Sequence, residues 1–242
     1  MKTIPTLLKD HLLDLVFPRT CPICGKIVLY LSSLACPTCY HKVQFVQKPT
    51  CVQCGKAIAF ERQALCFSCQ KQQHYYEKGI SLLIYTEMMK NSIARFKYQG
   101  KQEYARWYAE EWIKHYFHLL LQYGIQAFLP VPLHPHKYKI RGFNQSESIS
   151  HELSMLSKIP TYSQFLFRKQ NTTPQKNLNP SQRKENLAEA FSVAKLPSSL
   201  HTIALVDDIY TTGSTVNACS LVLKKAGIQN IYVISICIGQ DY

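Results

Sequence analysis

The sequence lacks a long hydrophobic run and a secretory signal. No apolar stretch approaches the roughly 20 residues that a helix needs to cross a bilayer, so we expect no insertion into a membrane. Among the first 17 residues, Asp10, His11 and Asp14 interrupt the apolar core that a signal peptide requires. We therefore expect a short amphipathic helix at this end and a cytoplasmic protein.

The sequence is also short of acidic residues, which gives the chain a large positive charge. Its 242 residues include 28 Lys and Arg but only 15 Asp and Glu, and the formal net charge is +13. Such a charge favours polyanionic partners such as phosphates or nucleic acids, although it does not indicate a fold. The length allows one full domain and a small additional one.

Cysteine, in contrast, is abundant and clustered. Eight of the ten cysteines lie between residues 21 and 69, in four C-x-x-C pairs. The sequence CPICGK at 21–26 recurs as CVQCGK at 51–56, and each copy is followed by a second pair at the same distance, so the repeat has a period of 30 residues. Two such turns supply four thiolates, the ligand set of a closed structural Zn²⁺ site. The predicted zinc ligands are Cys21, Cys24, Cys36, Cys39, Cys51, Cys54, Cys66 and Cys69.

The two repeats favour two structural zinc ions over redox-active cysteine pairs, because both copies have the spacing of metal ligands. Sequential pairing, in which each repeat binds its own ion, is favoured over a crossed arrangement because the repeat unit is self-contained. Basic and aromatic residues are interleaved here, which fits either a nucleic acid contact or solvated charges around a minimal core. These residues are Lys42, Lys48, Lys56, Arg62 and Lys71, with Tyr30, Tyr40, Phe45, Phe60 and Phe67.

From about residue 80 onward, strand and helix patterns alternate. Strands are predicted at 80–85, 127–133, 202–206 and 230–236, and helices at 88–98, 102–123, 144–157 and 214–226. This alternation predicts an α/β domain with a mainly parallel sheet. We assign residues 1–76 to the N-terminal helix and a double zinc ribbon, and residues 77–242 to the α/β domain.

The segment ALVDDIYTTGSTV at 204–216 predicts a phosphate site. An apolar strand is expected to end in Asp207 and Asp208, and a loop rich in hydroxyl groups then leads into a helix. Gly213 allows backbone N–H groups to converge, and the helix N-terminus adds a positive dipole. The carboxylates suit ribose hydroxyls and a divalent cation. A plain strand, turn and capped helix is the alternative, whereas the glycine spacings of a Walker loop or a dinucleotide fold are absent.

This segment resembles the phosphoribosyl-pyrophosphate (PRPP) motif of type I phosphoribosyltransferases over about 13 residues. The resemblance implies that Asp207 and Asp208 contact the ribose hydroxyls and act as catalytic residues, and that Mg²⁺ binds together with PRPP. The 5-phosphate would then lie in the loop formed by Thr211, Thr212, Gly213, Ser214 and Thr215.

Two further segments offer cations for the pyrophosphate of PRPP. The first, at 130–148, leaves a predicted strand through a Pro-rich turn and carries Lys137 and Arg141. The second, at 168–187, contains Arg168, Lys176 and Arg183 in a polar stretch without hydrophobic periodicity. We expect this stretch to be a lid that closes over the pyrophosphate, with a disordered surface loop as the alternative.

The order of these motifs resembles the ComF family (ComFC-like), which joins a double zinc ribbon to a type I phosphoribosyltransferase-like domain. The motifs are the C-x-x-C tandem, FKYQGK (96–101), PVPLHPHKYKIRGFNQ (130–145), TPQKNLNPSQRKEN (173–186) and LVDDIYTTGSTV (205–216). The resemblance implies a bacterial protein linked to natural competence, which acts on incoming single-stranded DNA beside a ComFA-type helicase.

Three functions are consistent with the sequence. The first is a protein that handles single-stranded DNA and retains PRPP binding. The second is an active phosphoribosyltransferase, in a housekeeping role, that moves phosphoribose from PRPP to an unidentified acceptor. The third is an adaptor whose ribbons dock a motor protein. We favour the first, since a large positive charge and basic residues in both parts of the chain support it.

Overall fold

The computed structural model describes residues 18–28, 34–60, 62–169 and 189–240. The amphipathic helix predicted for the first 17 residues lies outside the described part, as does Tyr30. None of the described helices is long and apolar enough to span a membrane.

The cysteine-rich segment repeats one structural unit twice. In each repeat an antiparallel bridge encloses the first cysteine pair, between Thr20 and Ile27 in the first and between Thr50 and Ala57 in the second. A single helical turn then begins directly after the third cysteine of each repeat. These turns are α1 (Pro37–Tyr40) and α2 (Phe67–Gln70).

A parallel sheet of four strands forms the centre of the α/β domain, in the order β1-β6-β5-β2. The strands are β1 (Lys78–Ile84), β2 (Ala127–Pro130), β5 (Thr202–Tyr210) and β6 (Asn230–Ile238). They are rich in Ile, Val and Leu and mostly buried, as expected for parallel strands that are covered on both faces. The predicted α/β fold with a parallel sheet and an N-terminal double ribbon is therefore confirmed.

Five helices connect the strands in the described part of the α/β domain. They are α3 (Glu87–Tyr98), α4 (Tyr104–Gln122), α5 (Pro135–Arg141), α6 (Gln145–Ser157) and α7 (Ser214–Lys225). Polar caps begin three of them, because the side chains of Thr86, His134 and Asn144 accept hydrogen bonds from the first turns of α3, α5 and α6. Helix α5 was not predicted, since the sequence there was interpreted as a Pro-rich turn. Pro135 is compatible with it because the first turn of a helix needs no N–H from that residue.

The core has two layers, one on each face of the sheet. Strand β5 shows the division, because Ala204 and Val206 belong to one layer and Ile203 and Leu205 to the other. The first layer contains large aromatic side chains from α3 and α4, and the second contains residues of α7 together with the second cysteine repeat. The ribbon is thus part of the hydrophobic core of the domain.

The segment between the two cysteine repeats covers the outer edge of β1. The Val46 N–H donates to the Leu82 carbonyl and the Ile84 N–H donates to the Gln44 carbonyl, both at 2.9 Å. These bonds use polar groups of an edge strand that would otherwise be open to another chain. The predicted division between residues 76 and 77 remains a prediction, with β1 beginning at Lys78.

A second, two-stranded antiparallel sheet was not predicted. It pairs β3 (Leu166–Arg168) with β4 (Phe191–Val193). Arg168 was expected to open the polar stretch, but it ends β3 instead. Most of that stretch, including Lys176 and Arg183, lies outside the described residues.

Candidate functional site

The two adjacent aspartates lie inside β5, which is longer than predicted. The strand was expected to end at residue 206, but pairing with β6 continues through Tyr210. Successive side chains of a strand point to opposite faces, so Asp207 and Asp208 have different neighbours. The parallel pairing of β5 with β6 thus continues beside the two carboxylates and fixes the position of their backbone.

Asp207 faces the start of α6. Its Oδ1 accepts hydrogen bonds from the Ser146 hydroxyl at 3.3 Å and from the Asp208 N–H at 2.9 Å. Burial and the neighbouring Asp208 raise the pKa of Asp207 to about 7, although Lys97 opposes this shift. Near neutral pH this carboxyl can therefore take up or release a proton.

Asp208 forms an ion pair with Lys97 of α3. The Lys97 Nζ lies 2.5 Å from the Asp208 Oδ2, and both side chains are largely buried. Sequence reasoning did not assign Lys97 to the site, although it belongs to the FKYQGK motif that was recognised. That motif was the feature of the sequence that could have pointed to Lys97. The contact itself depends on how α3 packs against the sheet.

The loop after β5 exposes hydroxyl groups at the start of a helix. Thr211, Thr212 and Ser214 are exposed, and the hydroxyls of the latter two are 2.8 Å apart. Gly213 has a φ of 74° and precedes α7, and the Ser214 N–H in the first turn of that helix donates to the Thr212 hydroxyl at 3.4 Å. The other first-turn N–H groups of a helix have no intrahelical partner, so they are available to an anion.

The buried side chain of Tyr210 packs against this loop at Gly213. A Cβ at Gly213 would clash with the Tyr210 ring, so only glycine fits there. The hydroxyl of Tyr210 is 2.8 Å from the hydroxyl of Tyr76, which follows the second cysteine repeat, and both side chains are buried. Asn217 of α7 adds a bond to the same segment, because its Oδ1 accepts from the Tyr75 N–H at 2.8 Å. The segment that follows the second ribbon therefore contacts the residues on both sides of the predicted phosphate loop.

The described cations that were predicted to bind pyrophosphate contact residues other than the two aspartates. Arg141 donates to the Gln145 Oε1 at 2.7 Å and to the Tyr98 hydroxyl at 2.9 Å. Lys137 is exposed on α5, and the Arg168 guanidinium lies 5.4 Å from the centre of the Phe191 ring. The structure therefore brings together Asp207, Asp208 and the loop at 211–215. In the part of the chain that the structure describes, these three cations form no hydrogen bond or ion pair with the aspartates or the loop. The role predicted for these cations stays a prediction.

The eight clustered cysteines form two groups of four. Cys21, Cys24, Cys36 and Cys39 compose the first group, and Cys51, Cys54, Cys66 and Cys69 compose the second. Within each group the sulfur atoms lie within 4.8 Å of one another. The predicted sequential pairing is confirmed, and a crossed arrangement is excluded by these distances.

The geometry of both groups fits a tetrahedral zinc ion. Zn–S bonds of about 2.3 Å place tetrahedral sulfurs about 3.8 Å apart, and the Cys24–Cys36 and Cys54–Cys66 sulfur distances are 4.0 and 3.7 Å. In the second group, the hydrogen bond from Cys54 lowers the pKa of Cys51 to about 4, and burial raises the pKa of Cys69 to about 12. Four such thiols ionise together only beside a cation, so the groups support two structural zinc sites.

Comparison with known proteins agrees with these features. The family model of the double zinc ribbon domain matches residues 12–70. Competence protein F of Haemophilus influenzae is 32% identical over 177 residues, which cover 67% of this chain and 73% of that protein. Competence protein ComFC of Streptococcus pneumoniae is 28% identical over 167 residues, covering 64% of this chain and 66% of that protein.

A third relative carries a different name. The DNA utilization protein YhgH of Salmonella typhimurium is 28% identical over 165 residues, which cover 67% of this chain and 72% of that protein. The extent of these matches, the paired cysteine groups and the parallel α/β domain lead to one assignment. The chain belongs to the ComF family of competence and DNA utilization proteins.

Proposed function

We propose that the protein binds PRPP at Asp207, Asp208 and the loop at 211–215, and that it handles single-stranded DNA during DNA uptake or use. The observation that carries PRPP binding is the junction of β5 and α7. There two carboxylates precede a loop of exposed hydroxyl groups and the N-terminus of a helix. Carboxylates suit the hydroxyls of a ribose, and the helix N-terminus suits its phosphate.

The DNA-handling part is supported by two relatives named competence proteins and one named a DNA utilization protein. The formal charge of +13 is consistent with a polyanionic partner. A helicase of the ComFA type is the proposed protein partner, as the resemblance to the ComF family implies.

An active phosphoribosyltransferase is the second candidate. Its support is the carboxylate pair, with Asp207 near its titration midpoint at neutral pH and Asp208 held by Lys97. Mg²⁺ bound with PRPP would neutralise the pyrophosphate as it leaves C1 of the ribose. Asp207 and Asp208 are the described carboxylates of the site that could hold this ion. Lys97 would orient the Asp208 carboxylate through their ion pair.

Isothermal titration with PRPP and Mg²⁺ tests the binding proposal. Asp207→Ala and Asp208→Ala should each weaken binding at least about tenfold, the loss expected for charged hydrogen bonds to a ligand. Glu87→Ala, which removes an exposed carboxylate on α3, should bind like the unaltered protein. Absence of PRPP binding to the unaltered, zinc-loaded protein would refute the proposal and the transferase together.

A turnover assay separates the two candidates. The protein is incubated with PRPP, Mg²⁺ and a panel of bases and DNA, and released pyrophosphate is measured. Acceptor-dependent release that Asp208→Ala abolishes would identify a transferase. Binding without release would leave PRPP as a ligand of a DNA-handling protein.

A further inference from the structure

Basic and aromatic side chains lie side by side on α5 and the end of α3. The segment HPHKYKIR at 134–141 contains two Lys, one Arg and two His but no acidic residue. Lys137, Tyr138 and Lys139 are exposed on α5. Tyr98 at the end of α3 is 63% exposed and Tyr138 is 49% exposed, so both rings are open to solvent. We call Tyr98, Lys137, Tyr138, Lys139 and Arg141 the α5–Tyr98 surface.

Arg141 holds Tyr98 in place. Its guanidinium lies 4.9 Å from the centre of the Tyr98 ring and donates a hydrogen bond to the Tyr98 hydroxyl at 2.9 Å. A second bond to Gln145 fixes the arginine. The ring is therefore ordered and still accessible, which lowers the entropic cost of stacking a planar ligand on it.

A groove beside Tyr138 limits where phosphates can lie. This groove of about 620 Å³ is also lined by Glu103, Glu147 and Glu152. Its acidic residues repel phosphates, whereas Lys137 and Lys139 attract them. A polyanion is therefore expected to follow the lysines of α5 and to avoid the groove.

The ribbons offer a weaker surface for a polyanion. Phe60 and Phe67 of the second ribbon are exposed, and Lys71 lies over the Phe67 ring at 3.8 Å. However, four thiolates around one Zn²⁺ carry a net charge of about −2, which offsets nearby cations. In the first ribbon, Tyr40 and Phe45 contact each other and side chains of α4, so their rings are partly covered.

We propose that the α5–Tyr98 surface binds single-stranded DNA, with Tyr98 and Tyr138 stacking on bases and Lys137 and Lys139 contacting phosphates. This proposal rests on the proposed DNA-handling function. Exposed rings select single strands because the bases of a duplex are already stacked on each other. The surface also adjoins the predicted PRPP site, since Arg141 contacts Gln145 and the next residue, Ser146, contacts Asp207.

Fluorescence anisotropy with a labelled thymidine oligonucleotide tests the proposal on the full chain with zinc bound. Tyr138→Ala should weaken binding at least about fivefold, as expected for the loss of one stacked base. Tyr138→Phe keeps the ring and should bind normally. Lys139→Gln should weaken binding about fivefold at about 0.1 M salt, as expected for one lost phosphate contact. Duplex DNA of the same length should bind more weakly than the single strand.

Phe60→Ala and Phe67→Ala serve as matched controls on the second ribbon and should leave DNA binding unchanged. Tyr138→Ala should also leave PRPP titration unchanged, since this side chain is not assigned to that site. Normal DNA binding by Tyr138→Ala and Lys139→Gln would overturn the proposed surface and leave DNA handling intact. A loss confined to the phenylalanine variants would place the contact on the ribbon instead. No binding by the unaltered protein would overturn both proposals.

Discussion

At the scale of single residues, Asp207 and Asp208 are neighbours in sequence but differ in their surroundings. Asp208 has the Lys97 ammonium group at 2.5 Å, whereas the donors to Asp207 among the described residues are a hydroxyl and a backbone N–H. Burial and the neighbouring Asp208 raise the pKa of Asp207, and Lys97 opposes that shift. A bound cation or sugar would therefore change the protonation of Asp207.

This asymmetry predicts a pH-dependent effect of Asp207→Asn. The pKa of Asp207 is raised from 3.8 to about 7, so its contribution to stability is fully present below pH 3.8 and is lost as the pH rises through 7. Asparagine cannot ionise. We therefore expect Asp207→Asn to raise the melting temperature, relative to the unaltered protein, more at about pH 8 than at about pH 5.

The comparison is made by thermal denaturation in the absence of Mg²⁺ and PRPP. Zinc release at low pH affects both proteins, so it cancels in the difference between them. Glu87→Gln, at an exposed carboxylate on α3, is the control and should show no such pH dependence. A difference between Asp207→Asn and the unaltered protein that is constant with pH would contradict the shifted pKa.

The sequence identified Asp207 and Asp208 but not Lys97, and the reason is physical. A strand followed by a hydroxyl-rich loop is a local pattern, readable from about 13 consecutive residues. The contact between Lys97 and Asp208 joins α3 to β5 and depends on the packing of both against the sheet. The cysteine groups, in contrast, were predicted together with their pairing, because each repeat is local and its spacing reflects metal geometry.

At the scale of elements, local patterns again explain what could be predicted. The long helices have a clear hydrophobic period and the four parallel strands are short apolar runs, and all of them were predicted. Strands β3 and β4 have only three residues each, too few to establish an alternation. Strand β5 extends past the aspartates because β6 continues to pair with it, and this is a tertiary effect that overrides two charged residues.

The pairing of the inter-repeat segment with the outer edge of β1 predicts an effect of zinc removal. The residues that pair with its outer edge, Gln44 and Val46, lie between the two cysteine repeats. Unfolding of the ribbons on zinc removal should therefore release that edge. We expect a strong chelator to speed hydrogen exchange at the Ile84 amide, which donates to Gln44, while the amide of Val206 in the interior of the sheet stays protected.

Hydrogen exchange with peptide resolution, before and after chelation, measures this change. Re-addition of Zn²⁺ should restore protection, and metal analysis should return two ions for each chain before treatment. Protection at Ile84 that survives complete removal of zinc would show that the inter-repeat segment holds the sheet edge without the metal.

At the scale of the whole molecule, the distribution of charge matters more than its sum. The formal charge of +13 is reduced by about four when two zinc tetrathiolates form, and the reduction falls entirely on the ribbons. The α/β domain keeps its charge, including the acid-free segment 134–141. A DNA strand that binds through local contacts should therefore depend on α5, whereas diffuse attraction should depend equally on every exposed lysine.

The salt dependence of DNA binding distinguishes these two modes. Each phosphate contact with a single strand contributes about 0.7 to the slope of log K against log salt, so Lys137→Gln combined with Lys139→Gln should reduce the slope by about 1.4. The matched pair Lys195→Gln and Lys225→Gln removes the same charge from two other exposed positions, one of them at the far end of α7. That pair should leave the slope unchanged. Equal reductions in both double variants would mean that the strand is held by the overall charge, and α5 would then have no special part in binding.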